Sequence, residues 1–269
     1  MLAEPTLIGF DEPALDEIKT FGDRLIITGD LDPVYIAIYG AQLTEPQLCR
    51  LLLAYMMFYH LGVAAWLSEH EGVNYWKQAR AAAENLRPAP IGGRWPRSAE
   101  RRHFRGIKCV DAVDWFSARM PEDYIRPLAG LRTEMDVMTA VKRWPMFGDW
   151  VAYKVADLID RVYGVPLIWS TDVVLLYDSP RKALDALDAG EPKGVFGRLM
   201  EYFSRHAAPP RYDRPCGPAE VETVCCKYGS MHTGHYHVGK DIHEIRRGLL
   251  AWGSTAQRLL AAMPQEVRY

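Results

Sequence analysis

The stretch 144–174, WPMFGDWVAYKVADLIDRVYGVPLIWSTDVV, constrains the fold more than any other part of the chain. It reads as a tight Pro/Gly hairpin, then an amphipathic helix, then a short apolar run closed by an acid. Val151, Val155, Leu158, Ile159 and Val162 recur at the helical period and predict one buried face over 149–163. A hairpin that opens directly into a helix presents unpaired backbone N–H groups at the helix start. Together with the helix dipole, these suit a phosphate. Asp172, beyond the helix, is then placed to face a nucleotide held by that phosphate.

The rest of the chain reads as mostly helical. The strongest apolar segment, LCRLLLAYMMFYHLGVAAWL over 48–67, predicts a single central core helix, since it is apolar almost all round. Thr44 is its expected cap, with Glu45 and Pro46 in the first turn. Tyr55, Tyr59 and His60 lie within it as candidate pocket walls. For His60 the favoured reading is a hydrogen-bonded core histidine. Trp66 and Trp76 are further candidate walls. Helices are also expected over 72–86, 111–119, 121–142, 179–187, 195–206 and 241–263. The runs 87–93 and 207–218, rich in Pro and Gly or in Pro, read as a loop and a linker. Strand signal is thin, at 25–28 and 167–169. The expected fold class is therefore mainly α with few short strands.

Composition limits what such a chain does. At 269 residues and 49% hydrophobic content it can bury one large core or two small ones. A net charge of −2 excludes a globally basic nucleic-acid coat, so any DNA contact must be a local patch. One such patch is RWPRSAERRHFRGIK, 94–108, with six basic residues against the single acid Glu100. Arg101, Arg102 and Arg105, interleaved with Trp95 and Phe104, suit phosphate contacts and stacking; the competing reading is a solvated face. An odd number of cysteines, five, points to free thiols and a reducing compartment. The N-terminal MLAEPTLIGFDEP lacks the basic region of a signal peptide, and no apolar run reaches the ~18 residues of a membrane span. A cytoplasmic protein is expected.

The segment EVETVCCKYGSMHTGHYHVGKD, 220–241, crowds Cys225, Cys226, His232, His235 and His237. Its spacing fits no zinc pattern, and no metal site is expected. Glycines at 229, 234 and 239 instead suggest turns around which Lys227, Lys240 and the histidines hold a pyrophosphate. The competing reading is a hydrogen-bonded loop that closes the core.

The hairpin resembles that of the helix-hairpin-helix DNA glycosylases, where an LPGxG turn precedes a catalytic Asp. The matching positions are Trp144, Pro145, Met146, Phe147 and Gly148, then Asp172. Met146 replaces the first hairpin glycine. Trp150 stands where bifunctional glycosylases carry a Schiff-base lysine, so that lyase route is not implied. More specifically, CCKYGSMHTGHYHVGKDIHEIRRGL is similar to the C-terminal segment of the alpha-glutamyl/putrescinyl-thymine pyrophosphorylases, which include the phage amino acid:DNA transferases. FGDWVAYKVADLIDRVYG resembles their helix-hairpin-helix segment, and LAYMMFYHLGVAAWLSEHEGVNYW and ERRHFRG resemble their N-terminal half.

The resemblance implies a glycosylase-like helical fold over 1–269. Its two helical lobes would be about 1–120 and 121–269, with the helix-hairpin-helix at 138–163. It implies an enzyme acting on phage DNA in the infected host cell, displacing pyrophosphate from 5-pyrophosphomethyluracil with an amine. That amine is an amino acid such as glycine, or a polyamine. The residues found above suit that reaction on a flipped base. Asp172, His235, His237 and Lys240 are the catalytic candidates, with Asp172 as general base for the ammonium or its anchor. Arg101, Arg102, Arg105 and Lys227 would bind the leaving pyrophosphate. Pro145, Phe147, Gly148, Trp150 and Lys154 would contact DNA. Tyr55, Tyr59, His60, Tyr236 and Asp241 would form the substrate pocket. No cofactor is called for, and Mg²⁺ is compatible with a pyrophosphate leaving group. Two alternatives are a glycosylase that uses water at the sugar carbon and a DNA-binding protein without catalysis.

Overall fold

The computed structural model describes residues 12–98, 101, 104, 106–119, 123–172, 177–187 and 191–267. Among these the chain is mainly α-helical. Their β pairing consists of two isolated bridges, Thr133 with Ile168 and Ala207 with Pro215. No helix among them is long and apolar enough to cross a membrane. The chain divides into two compact units, each assembled from segments far apart in sequence rather than from 1–120 and 121–269.

The smaller unit comprises the stretch ending at Leu31 together with Ser170–Ala208 and Tyr212–Val238. It holds α1 (Glu12–Thr28), with α9 (Asp178–Leu187), α10 (Pro192–Phe203) and α11 (Pro218–His232). Ile18, Leu25, Leu184, Leu199, Val221 and Cys225 are among its core residues. The strand expected at 25–28 is instead the end of α1. Ile18, Phe21 and Leu25 are spaced for one helical face and all three are buried, which outweighs the local β-branched residues. Gly22 is required where α1 meets α10, because a Cβ there would fall 2.3 Å from the Phe203 ring. The glycine-rich loop expected from residue 220 is also corrected. α11 continues to His232, because Val221, Val224, Cys225 and Tyr228 form a buried helical stripe. Its start is fixed by Glu220, whose carboxylate accepts from Gly217 N–H at 2.8 Å and from Arg214 at 3.0 Å.

The larger unit comprises Asp32–Trp169, Pro209–Arg211 and the stretch from Gly239. It holds α2 (Pro33–Gly40), α3 (Glu45–Phe58), α4 (Leu61–Ser68), α5 (Gly72–Glu84) and α6 (Ile107–Ser117). A 3-10 turn (Arg126–Gly130), α7 (Glu134–Val141), α8 (Asp149–Leu158) and a π-helical turn (Ile159–Tyr163) follow, and α12 (Lys240–Leu249) and α13 (Ser254–Ala262) complete it. The apolar run 48–67 is two helices, not one. Tyr59 adopts a left-handed conformation (φ 49°) and ends α3, and His60 then caps α4. Thr44 occupies the cap position of α3 without a side-chain hydrogen bond. The expected helix 121–142 is reduced to the 3-10 turn and α7, separated by extended Leu131 and by Thr133, whose hydroxyl caps α7 through Asp136 N–H at 3.1 Å. The final helix is likewise broken, at Gly253 (φ 106°), with Trp252 of the break buried. The apolar segment 167–169 makes one bridge and no strand.

His60 shows why the break after α3 is stable. Its Nδ1 accepts the Val63 N–H at 3.3 Å, and its ring lies 5.9 Å from that of Trp252. Burial pushes its imidazole down to about 4. The unfolded chain, titrating near the ordinary value of about 6.5, therefore binds the proton first, and stability falls as pH drops through that window, by at most about 3 kcal/mol. Urea unfolding at pH 7, 5.5 and 4 should show this loss. A His60→Asn variant, which keeps a capping acceptor but does not titrate, should show less of it.

Candidate functional site

α7 and α8 are joined by a tight turn, residues 142–148. Met146, at the position of the missing glycine, has φ 67°. The turn keeps its left-handed backbone without the residue type that favours it. Arg101 supports it from inside, donating to Met146 O at 2.9 Å and to Met57 O at 3.1 Å and stacking over Phe104 and Phe147. Burial lowers the Arg101 guanidinium to about 10. Met146→Gly should therefore stabilise the protein by about 0.5–1 kcal/mol in chemical unfolding.

The turn corrects several expected DNA contacts. Phe147 is buried, ringed by Phe116 at 5.6 Å and Trp144 at 5.3 Å. Lys154 turns inward to Asp157 at 3.5 Å. Arg101 is a strut between backbone carbonyls, not a surface cation. Arg102 and Arg105 lie outside the described residues. Gly148 is exposed and is the N-cap of α8 without a side-chain cap, and Pro145 is half-buried beside it. Asp149, in the first turn of α8, pairs with Lys142 at 2.8 Å.

A second feature of the larger unit is a cleft of about 240 Å³. Tyr55 and Tyr59 form one wall, stacked at 4.8 Å, with Trp150 edge-on to Tyr59 at 5.0 Å. Asp241 and Glu244, one turn apart on α12, line it as well, with Lys240 at 3.9 Å from Glu244. Asp32 and Tyr35 also line it and are held by an ion network. Arg161, fully buried, donates to Asp32 at 2.6 Å and approaches Asp157 at 3.5 Å, and it also reaches Pro209 O. Tyr35 donates to Asp157 at 2.8 Å, and burial with that carboxylate raises its phenol far above the ordinary value, keeping it a donor. Ser98 lines the cleft with a buried hydroxyl that has no hydrogen-bond partner. A ring of tyrosines with carboxylates is a setting for a small ammonium.

Of the five candidate pocket residues, Tyr55, Tyr59 and Asp241 line this cleft, and His60 and Tyr236 do not. Asp32, Tyr35, Ser98 and Glu244 were not singled out from sequence. Asp157 and Arg161, spaced i, i+4 on a buried helix, carried the one legible signal of the supporting network.

Comparison with known proteins decides the family. A family model described as amino acid:DNA transferase matches residues 24–237. This chain belongs to that family. It is similar to a glycinyltransferase of Pseudomonas phage PaMx11, 40% identical, with 92% of this chain and 96% of the relative covered. It is also similar to a putrescinyltransferase of Delftia phage PhiW-14, 29% identical, with 88% and 79% covered.

The smaller unit of this amino acid:DNA transferase family member carries the other candidates. Asp172 is exposed and pairs with Lys193 at 2.8 Å, and its backbone N–H donates to Ser170 Oγ at 3.2 Å. His235 is exposed, with Nδ1 3.0 Å from Thr233 Oγ1, and His237 is exposed. Tyr236 is buried and donates to the fully buried carboxylate of Asp30. Lys227 donates to the Asp30 carbonyl and lies 3.4 Å from the Tyr236 hydroxyl. Lys227 and Tyr236 are therefore internal ties here, not a pyrophosphate cation and a pocket wall. Among the described residues no three His, Cys, Asp or Glu side chains gather as a metal site, and none of the five cysteines is in a disulfide.

Proposed function

We propose that this chain transfers an amino acid of the glycine type onto 5-pyrophosphomethyluracil in phage DNA within the infected host cell, releasing pyrophosphate. The family placement supports transfer to DNA over the water-using and the non-catalytic alternatives. The observation that carries the amine site is the Tyr55–Tyr59 cleft with Asp241 and Glu244.

The ammonium of the incoming amino acid is anchored by Asp241 and Glu244 against the tyrosine faces. Lys240, on the same turn of α12, meets its carboxylate. After loss of a proton, the amine lone pair forms a C–N bond to the exocyclic methylene of the base. The C–O bond to pyrophosphate breaks, and its electron pair leaves with the pyrophosphate. Asp172 is the proposed general base, a role supported by the hairpin-to-acid pattern of the sequence alone. His235 and His237 are proposed to relay protons. Arg102 and Arg105 offset charge on the leaving group, with Mg²⁺ compatible with that role. Gly148 and the first-turn N–H groups of α8, including that of Trp150, meet a flanking phosphate.

The test is nucleoside mass spectrometry of DNA carrying 5-pyrophosphomethyluracil after incubation with the protein and a mixture of amino acids and polyamines. An amine adduct with released pyrophosphate is expected. An abasic site, or unaltered DNA, would overturn the reading. The cleft makes its own prediction. Asp241→Asn with Glu244→Gln should raise KM about tenfold to a hundredfold for every amine, while Lys240→Ala should do so for glycine and spare putrescine.

A further inference from the structure

A second cleft of the larger unit, about 470 Å³, lies between α5 and the loop that follows it. Lys77 and Gln78 project into it from α5, and Arg87 from the loop. Its aromatic lining is Trp66, half-buried, and Trp95, 4% exposed, with ring centroids 5.4 Å apart. Trp95 is fixed in place, because its backbone N–H donates to Asn85 Oδ1 at 2.9 Å and its ring is 6.1 Å from that of Trp252. Its indole Nε1 is nonetheless buried with no hydrogen-bond partner. A buried indole N–H ordinarily finds an acceptor, and leaving it unmade costs about 1–3 kcal/mol. An acceptor brought by a ligand would remove that cost.

The charge around these indoles is positive. Arg80 pairs with Glu84 and bonds Asp114 at 3.1 Å, which leaves one negative charge among the three, fewer than the cations beside them. Lys77 and Arg87 are exposed and add two cations. Gln78 contributes an amide that both donates and accepts, which matches the alternating carbonyl and imide edge of a uracil-type ring. A flat ring with carbonyl acceptors, attached to a phosphate, satisfies every one of these groups.

We propose that this cleft binds a pyrimidine nucleotide. The ring stacks on Trp66, a ring carbonyl accepts from Trp95 Nε1, Gln78 meets the ring edge, and Lys77 and Arg87 meet the phosphate. The inference rests on the transferase reading only for its source, a nucleotide of the DNA strand rather than a free one. The probes are labelled dTMP, thymidine and a ten-residue oligothymidylate, measured by equilibrium dialysis on the full chain. The wild type should bind dTMP, and K77E/R87E should weaken it about tenfold or more without changing thymidine binding. Trp66→Ala should weaken both probes by a similar factor. Competition by the oligonucleotide identifies the strand as source, and failure to compete identifies a free nucleotide. Equal dTMP binding by wild type and K77E/R87E, or none by the wild type, overturns the cleft. Amine transfer to modified DNA is read separately. Adduct formed without dTMP binding in this cleft removes the cleft alone, whereas dTMP binding without adduct removes the transfer alone.

Discussion

Asp172→Asn should lower the turnover of amine transfer by about 10²–10⁴ while leaving DNA binding and thermal stability in place. The substitution is a clean one. The Asp172 side chain is 65% exposed, and it pairs with a similarly exposed Lys193. Such a pair contributes about 0–1 kcal/mol, so the fold does not depend on it. Asparagine keeps the shape and loses the ability to take a proton. Lys193→Ala is the matching control, because it removes the pair and keeps the carboxylate. It should retain turnover within about threefold. Single-turnover mass spectrometry separates the chemical step from product release. Full turnover by Asp172→Asn, with normal folding, would move proton acceptance to Asp241 or Glu244 of the tyrosine cleft.

The elements read correctly from sequence were those with one apolar face. α8 with its π-helical turn and α9 show it: Val151, Val155, Leu158, Ile159 and Val162 are all buried, as are Ala183, Leu184 and Leu187. The run 48–67 hid its break because an all-apolar segment carries no phase, so nothing marks Tyr59 as left-handed. The final break was marked by Gly253, but the strong amphipathic pattern of α12 masked it. Charge was legible and burial was not. Arg101 and Lys227 look like surface cations in sequence, yet each donates to backbone carbonyls. The tyrosine cleft was half legible: Tyr55 and Tyr59 stood in a conspicuous aromatic run, and Asp241 in a conspicuous polar one. Asp32, Tyr35 and Glu244 join them only through tertiary contact, with no local pattern to mark them.

Arg161→Met should destabilise the protein by about 3–5 kcal/mol, the largest stability effect expected of any substitution at the cleft. The Arg161 and Asp157 side chains are both fully buried, and Asp32 is 16% exposed. Removing the guanidinium leaves Asp157 with Tyr35 and with Lys154 at 3.5 Å, and it strips the short bond from Asp32. A buried carboxylate that loses one of its two cations is costly, whereas an amide in the same space carries no charge to compensate. Asp157→Asn in the Arg161→Met background should therefore recover about 1–2 kcal/mol, because an amide still accepts from Tyr35 and carries no charge. Urea midpoints of the two single variants and the double variant give the coupling directly. Recovery in stability should come without recovery in KM for the amine, since Asp32 and Tyr35 line the cleft and their positions depend on the guanidinium itself. If KM recovered with stability, the network would serve the fold alone, and the cleft's shape would be set by Tyr55, Tyr59 and α12.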